Sequence, residues 1–441
     1  MSRNTLPVTL LALAGGAVLE VILLALGIND GSGVRDLATI GFPAVALLGF
    51  RYPSFVLPFY FFIGSLKTLP VFSSIPGNLS VLMGLYVAAA CGVCLLRDRR
   101  HALSLPALVG VGLIAVLVLV AYARSQMPLI AHSKLMYLLT FVMVSFVSPM
   151  VLVVDRRRVA ELFAGFMAVG ALVLAGMFLA TDRSMYLDDR MGLSGASSIV
   201  TGMALVMAAI SALYWWIPQA RGRLARAAGV AFALACLFGV AVTGSRGPFL
   251  FGLAALLAGT LFHARAMTRN LAGKLVQVGL VGICLVLALS GLRSSWMSHE
   301  FEGAARSLSM LGGNWQQAIQ TNDRVWLMRA AADMIREKPV LGHGLGGYQR
   351  SMNRADEWDY LYPHNQPLDL ACEAGLPAAL ILLGLWGLGG WRTGVRRFLR
   401  PRGDWTDAAL QTAFLLMVFC FLEGLVSNDV FRARAEWGAL G

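Results

Sequence analysis

Three arginines and one histidine stand where residue type and spacing suit chemistry at a phosphate. Arg246 falls in Thr243-Gly244-Ser245-Arg246-Gly247-Pro248, a break between two apolar segments, where glycines free the backbone and the proline opens the next helix without needing its N–H. A cation is thereby held at membrane depth beside exposed amides, a setting that binds anions. Arg190 lies in the short loop Tyr186–Gly195 beside Asp188 and Asp189. Arg324 opens a predicted helix, where a cation is disfavoured by the helix dipole, so something negative should compensate it. His364, in Tyr362-Pro363-His364-Asn365-Gln366-Pro367, sits where a polar segment re-enters the membrane, and imidazole ordinarily titrates near neutral pH, as acid–base work requires. Each has a plain alternative. Arg246 can snorkel to lipid headgroups, Arg190 can clamp its loop through Asp188 or Asp189, Arg324 can answer Asp323 or Asp333, and His364 can cap a helix.

Arginine suits phosphate oxygens because its planar fork donates bidentately and stays charged. Arginines and a histidine without metal ligands point to a lipid-linked phosphate or diphosphate, with the arginines as counter-charge and the histidine deprotonating an acceptor. The sequence has no Asp-x-Asp and no His-x-x-x-His, so neither a metal nor another cofactor is expected. Its six cysteines lie in or beside apolar stretches, as small hydrophobes do, and Cys91 and Cys94 form a lone pair inside an apolar run.

The elements that must position these groups are membrane helices. Of 441 residues, 58% are hydrophobic and 14% charged, which excludes an ordinary soluble enzyme at roughly 25% charged. Runs with almost no charge, such as Leu105–Ala121, Leu135–Val154, Val159–Ala180 and Ile199–Ile217, can each cross a ~30 Å hydrocarbon core. The net charge of +12 resides in short clusters between such runs: Arg97, Arg99 and Arg100; Arg156 to Arg158; Arg221, Arg223 and Arg226; Arg265, Arg269 and Lys274; Arg392, Arg396, Arg397, Arg400 and Arg402. That is the positive-inside signature and calls for no nucleic acid. Placing the clusters on the cytoplasmic side predicts an all-α polytopic membrane protein of about 12 (12–14) transmembrane helices. Spans fall near 8–26, 37–50, 54–66, 79–96, 104–122, 135–154, 159–180, 196–217, 228–243, 248–262, 275–292, 367–390 and 408–427. The first is followed by Gly-Ile-Asn-Asp-Gly and reads as a helix, not a cleaved signal. The expected organisation is 1–292 as helices with short loops, 293–365 as one large periplasmic helical loop domain, and 366–441 as C-terminal transmembrane helices. Within the loop, Asn322–Glu337 carries apolar residues at helical spacing, with Asn322 or Asp323 as N-cap and Pro339 and Gly342 ending it; an amphipathic helix lying on the membrane is expected.

At these residues the chain resembles the O-antigen ligase and polymerase superfamily of bacterial inner-membrane glycosyltransferases. Thr243-Gly-Ser-Arg246-Gly-Pro-Phe-Leu250 looks like that family's Gly-Ser/Thr-Arg-Gly and Arg-x-x-x-Leu segment. Asp323-Arg324-Val-Trp326, continuing to Pro339-Val-Leu-Gly342-His-Gly344, is similar to its Arg-x-Trp helix and Pro-x-x-Gly-x-Gly loop. His364-Asn365, nine residues and then Gly375 resembles the ligases' His-Asn-x9-Gly. The resemblance implies an inverting, metal-independent transfer of a glycan from undecaprenyl diphosphate at the periplasmic face. Arg246, Arg324 and Arg190 would hold the diphosphate, and His364 would be the general base. The acceptor is lipid A–core oligosaccharide in ligases and another glycan repeat in polymerases. Arg-x-x-x-Leu with His-Asn-x9-Gly and a single large loop favour the ligase; Ala378, three after Gly375 where a small or aromatic residue is expected, leaves the polymerase open. A protein O-oligosaccharyltransferase and a lipid-linked glycan flippase are the other readings, although a flippase would want cations along its path and the mid-membrane runs show almost none.

Overall fold

The computed structural model describes residues 51–68, 78–97, 103–179, 197–266, 323–352, 361–395, 405–427, 430 and 433–441. The elements in them are helices: α1 Pro53–Leu66, α2 Leu79–Arg97, α3 Leu105–Ala123, α4 Pro128–Leu152, α5 Arg156–Leu179, α6 Ser198–Gln219, α7 Arg223–Val242, α8 Arg246–Ala266, α9 Asp323–Glu337, α10 Gly347–Ser351, α11 Gln366–Ala374, α12 Leu376–Gly390, α13 Trp405–Gly424 and α14 Arg434–Leu440. Seven of them, α2 to α7 and α13, are long and apolar enough to cross a membrane. The all-α, multi-pass class therefore holds among the described residues. The spans expected near 8–26, 37–50 and 275–292, the loop carrying Arg190 and the polar stretch from Arg293 to Asn322 lie outside them.

Two boundaries differ from expectation. The span expected at 135–154 begins at Pro128, where proline fits the first helical turn, and so takes in Lys134. The span expected at 367–390 is two helices broken at Gly375, whose φ of 95° belongs to the region glycine favours. A β-carbon at Gly375 would also collide with the Val340 carbonyl.

The chain forms two compact units. The first holds α1, α2 and α5 to α8. Its centre is α6, buried from Thr201 to Trp215 and apolar on almost every side for that reason. The stripe Phe163, Phe166, Val169, Val173 and Met177 faces inward on α5, with Phe163 on Trp215 of α6 at 5.1 Å between ring centroids and Phe166 on Phe61 of α1 at 6.4 Å. Arg156 of α5 reaches Gln219 at the end of α6, so the clusters at 156–158 and 221–226 share one end of this unit.

The second unit holds α3, α4, α9 to α12, α14 and the last part of α13. Leu327, Ala331, Met334 and Ile335 of α9, spaced i, i+4, i+7 and i+8, pack with Ala371 and Cys372 of α11 and with Tyr348. The predicted helix is thus present, but its apolar stripe is covered by protein instead of lying on the membrane. A strap of turns, residues 339–346, links α9 to α10. It is stitched to α11 by His343 N–H to the Cys372 carbonyl (2.8 Å) and Gly344 N–H to the Glu373 carbonyl (3.0 Å). Gly342 in this strap has φ 60°, and a β-carbon there would lie 2.5 Å from the Glu373 carbonyl.

Candidate active site

Arg324 and the His364 segment meet at one turn. Leu425, Val426 and Ser427 follow the end of α13. Asn365 Nδ2 donates to the Leu425 carbonyl (2.8 Å), Arg324 Nη1 to the Val426 carbonyl (3.0 Å) and the Tyr362 hydroxyl to the Ser427 carbonyl (3.2 Å). Three side chains from two segments thus engage three consecutive carbonyls at the negative end of a helix.

This answers the electrostatic problem of Arg324. It sits in the first turn of α9, whose dipole disfavours it, and it points its charge at the C-terminal pole of α13. Its field also reaches Glu423, fully buried in the last turn of α13. Asp333, one of the expected partners of Arg324, instead pairs with Arg336 at 2.7 Å on the exposed face of α9.

His364 is held by its neighbours. Asn365 is the N-cap of α11, its Oδ1 accepting the Leu368 N–H at 2.9 Å, so the capping role considered for the histidine belongs to Asn365. The His364 backbone adopts φ 54°, where it stands alone among the described non-glycine residues. A non-glycine residue there costs about 1–3 kcal/mol and persists when its surroundings over-determine it. Here Tyr362 and Asn365 on either side are both anchored to the 425–427 turn, and the Tyr362 ring packs on the imidazole at 4.1 Å between centroids. The half-buried imidazole is thus packed by the Tyr362 ring and bracketed by two anchored neighbours, which suits the positioning that a proton acceptor needs.

Arg246 belongs to the first unit and begins α8. The break before it is ordered by Ser245 N–H donating to Thr243 Oγ1 (3.3 Å) and by Ser245 Oγ meeting Ser198 Oγ (2.9 Å). Ser198 begins α6, so two helix N-termini, each a partial positive pole, lie side by side at the Arg246 backbone. The basic cluster at 221–226 precedes or opens α7 and Arg246 follows its far end, so the two lie at opposite ends of α7. Ser197 occupies the N-cap position of α6, and Arg190 lies outside the described residues.

Sequence reasoning missed two features. Tyr362 was read only as a neighbour of His364. Lys134 Nζ meets Glu373 Oε1 at 2.6 Å with both side chains fully buried. A lysine just before an apolar run and a glutamate inside another were signals of such a pair. Among the described residues no group of His, Cys, Asp or Glu could hold a metal ion. No curated protein matches the chain. Residues 230–383, which contain Arg246, Arg324 and His364 but not Arg190, match the family model described as O-antigen ligase, and this match supports the superfamily that the motifs resemble.

Proposed function

We propose that this protein is an O-antigen ligase. The family match indicates a membrane glycosyltransferase of ligase or polymerase type acting on lipid-linked glycans. In the finer reading, the donor is a glycan on undecaprenyl diphosphate, the acceptor is lipid A–core oligosaccharide, and transfer occurs at the periplasmic face of the bacterial inner membrane. The observation that carries this reading is the joint anchoring of Arg324 and the His364 segment on residues 425–427. It supports a reading in which Arg324 is a charge-assisted donor to phosphate oxygens and His364 is the base.

The acceptor hydroxyl attacks the anomeric carbon from the face opposite the diphosphate, and its proton passes to the His364 imidazole. The bond from the anomeric carbon to the diphosphate oxygen breaks, and the departing polyprenyl diphosphate keeps the electron pair. Arg324, Arg246 and Arg190 balance the charge that develops there, so no metal is required. The shared end of the two basic clusters and the position of Arg246 at the other end of α7 support the orientation.

The test is the lipopolysaccharide profile of a deletion strain, with and without this chain restored. Full-length polymer stranded on the carrier in its absence, and cleared by the wild-type chain, is expected. Lipid A–core capped with a single repeat would instead identify a polymerase.

A further inference from the structure

Glu373 ties three segments together. Its Oε1 meets Lys134 Nζ of α4 at 2.6 Å and accepts the Gly346 N–H of the strap at 3.0 Å, and it lies in the last turn of α11. The strap is bound to α3 and its following turn as well, through Leu345 N–H to the Ala121 carbonyl (3.1 Å), Ser125 Oγ to the Leu345 carbonyl (2.6 Å) and Arg124 Nη1 to the Leu341 carbonyl (2.7 Å). Helix α11 is a nine-residue lever, with Glu373 at one end and the Asn365 cap at the other, about 12 Å apart at 1.5 Å per residue. One end is fixed to the 425–427 turn and the other to Lys134. A buried ion pair is a poor source of stability, since apolar replacements of similar volume are commonly neutral or better. What it does supply is a single geometry.

We infer that the Lys134–Glu373 pair is a positioning element that sets the tilt of α11 and thereby the placement of His364 in the transfer reaction; this rests on the function proposed above. The experiment uses purified full-length protein in nanodiscs, a short-chain polyprenyl-diphosphate-linked oligosaccharide as donor and lipid A–core as acceptor. Either single substitution leaves a buried charge and can prevent folding, so the decisive variant is the neutral double, Lys134→Met with Glu373→Gln. It is expected to fold with a thermal midpoint near wild type, to lose on the order of 10²-fold in kcat and to keep donor KM within about threefold. Lys134→Arg, which retains the pairing charge, is expected to stay within about tenfold of wild-type kcat. Amide exchange along α11, read without substrate, should quicken in the double variant and remain slow in Lys134→Arg. A double variant that turns over like wild type, or whose α11 exchange is unchanged, overturns the inference. A wild-type protein that transfers nothing, while α11 exchange responds as stated, refutes glycan transfer and leaves the tilt role supported.

Discussion

Asn365 offers the sharpest test of how the histidine is held. Its side chain makes two bonds, accepting the Leu368 N–H as N-cap and donating to the Leu425 carbonyl. Removing an N-cap costs about 1 kcal/mol, and a net intramolecular hydrogen bond contributes about 1 kcal/mol. Asn365→Ala therefore loses about 2 kcal/mol, the same size as the ~1–3 kcal/mol needed to keep a non-glycine residue such as His364 at positive φ. The restraint and the strain are matched, so the restraint decides the outcome. Without it, the ratio of held to relaxed His364 falls by about thirty-fold at 1.36 kcal/mol per decade, and kcat should fall by up to that factor. Donor KM should move little, because Arg324 keeps its own bond to Val426. Asn365→Asp separates the two bonds. It preserves the cap and forfeits the donor to Leu425, so a loss of about fivefold is expected from ~1 kcal/mol. Turnover by the purified variants, with urea unfolding in the same detergent, provides the readout. Wild-type kcat in Asn365→Ala would refute the claim that this side chain holds the histidine.

Arg246→Ala and Arg324→Ala should each abolish transfer in folded, membrane-inserted protein, and Arg→Lys should rescue little because a point charge cannot reproduce the fork; wild-type transfer by either alanine variant counts against the diphosphate role. His364→Gln should lose on the order of 10²–10⁴-fold in turnover, since glutamine can keep a hydrogen bond but cannot take a proton. A His364→Gln protein with wild-type rate would make the residue structural. Activity should survive EDTA; loss on chelation that magnesium restores would overturn the arginine counter-charge reading. A cysteine replacing Ser309 should react with a membrane-impermeant thiol reagent from outside the inner membrane and one replacing Gly222 should not, and the reverse pattern would invert the orientation.

The parts of this protein that carry charge or periodicity were legible in its sequence. Helix α9 was bounded by its apolar spacing and by Pro339, because a buried stripe must recur every three or four residues whatever it packs against. What covers that stripe was not legible: Ala371 and Cys372 lie in a run whose apolar character suits lipid and protein equally, so a helix expected on the membrane surface is instead packed on α11. The break at Gly375 was hidden for the same reason. Hydropathy averages over it, and only the contact with the strap, through Leu376 N–H to the Pro339 carbonyl, shows why the chain must turn there. Lys134 stands just before the apolar run Leu135–Val154 and Glu373 is a single charge in a later one; neither singles itself out in the sequence, and only tertiary structure reveals that they are partners.

The same division runs through the candidate site. Arg324, His364 and Arg246 stand out because each lies apart from the basic clusters, next to apolar runs where a cation or a titratable group needs a reason. The element that orients two of them is Leu425-Val426-Ser427, which contributes main-chain carbonyls and would read identically with many other side chains. Backbone groups are the same at every residue, so a sequence records them only through the donors sent to meet them. Tyr362 and Asn365 are those donors. Flanking His364 on both sides, they form a pattern of two hydrogen-bonding side chains bracketing a titratable one. Substitutions at Leu425 and Val426 that preserve backbone geometry should accordingly be tolerated, while a proline at Ser427, which would reshape the turn, should cost activity as severely as losing the histidine's own neighbours.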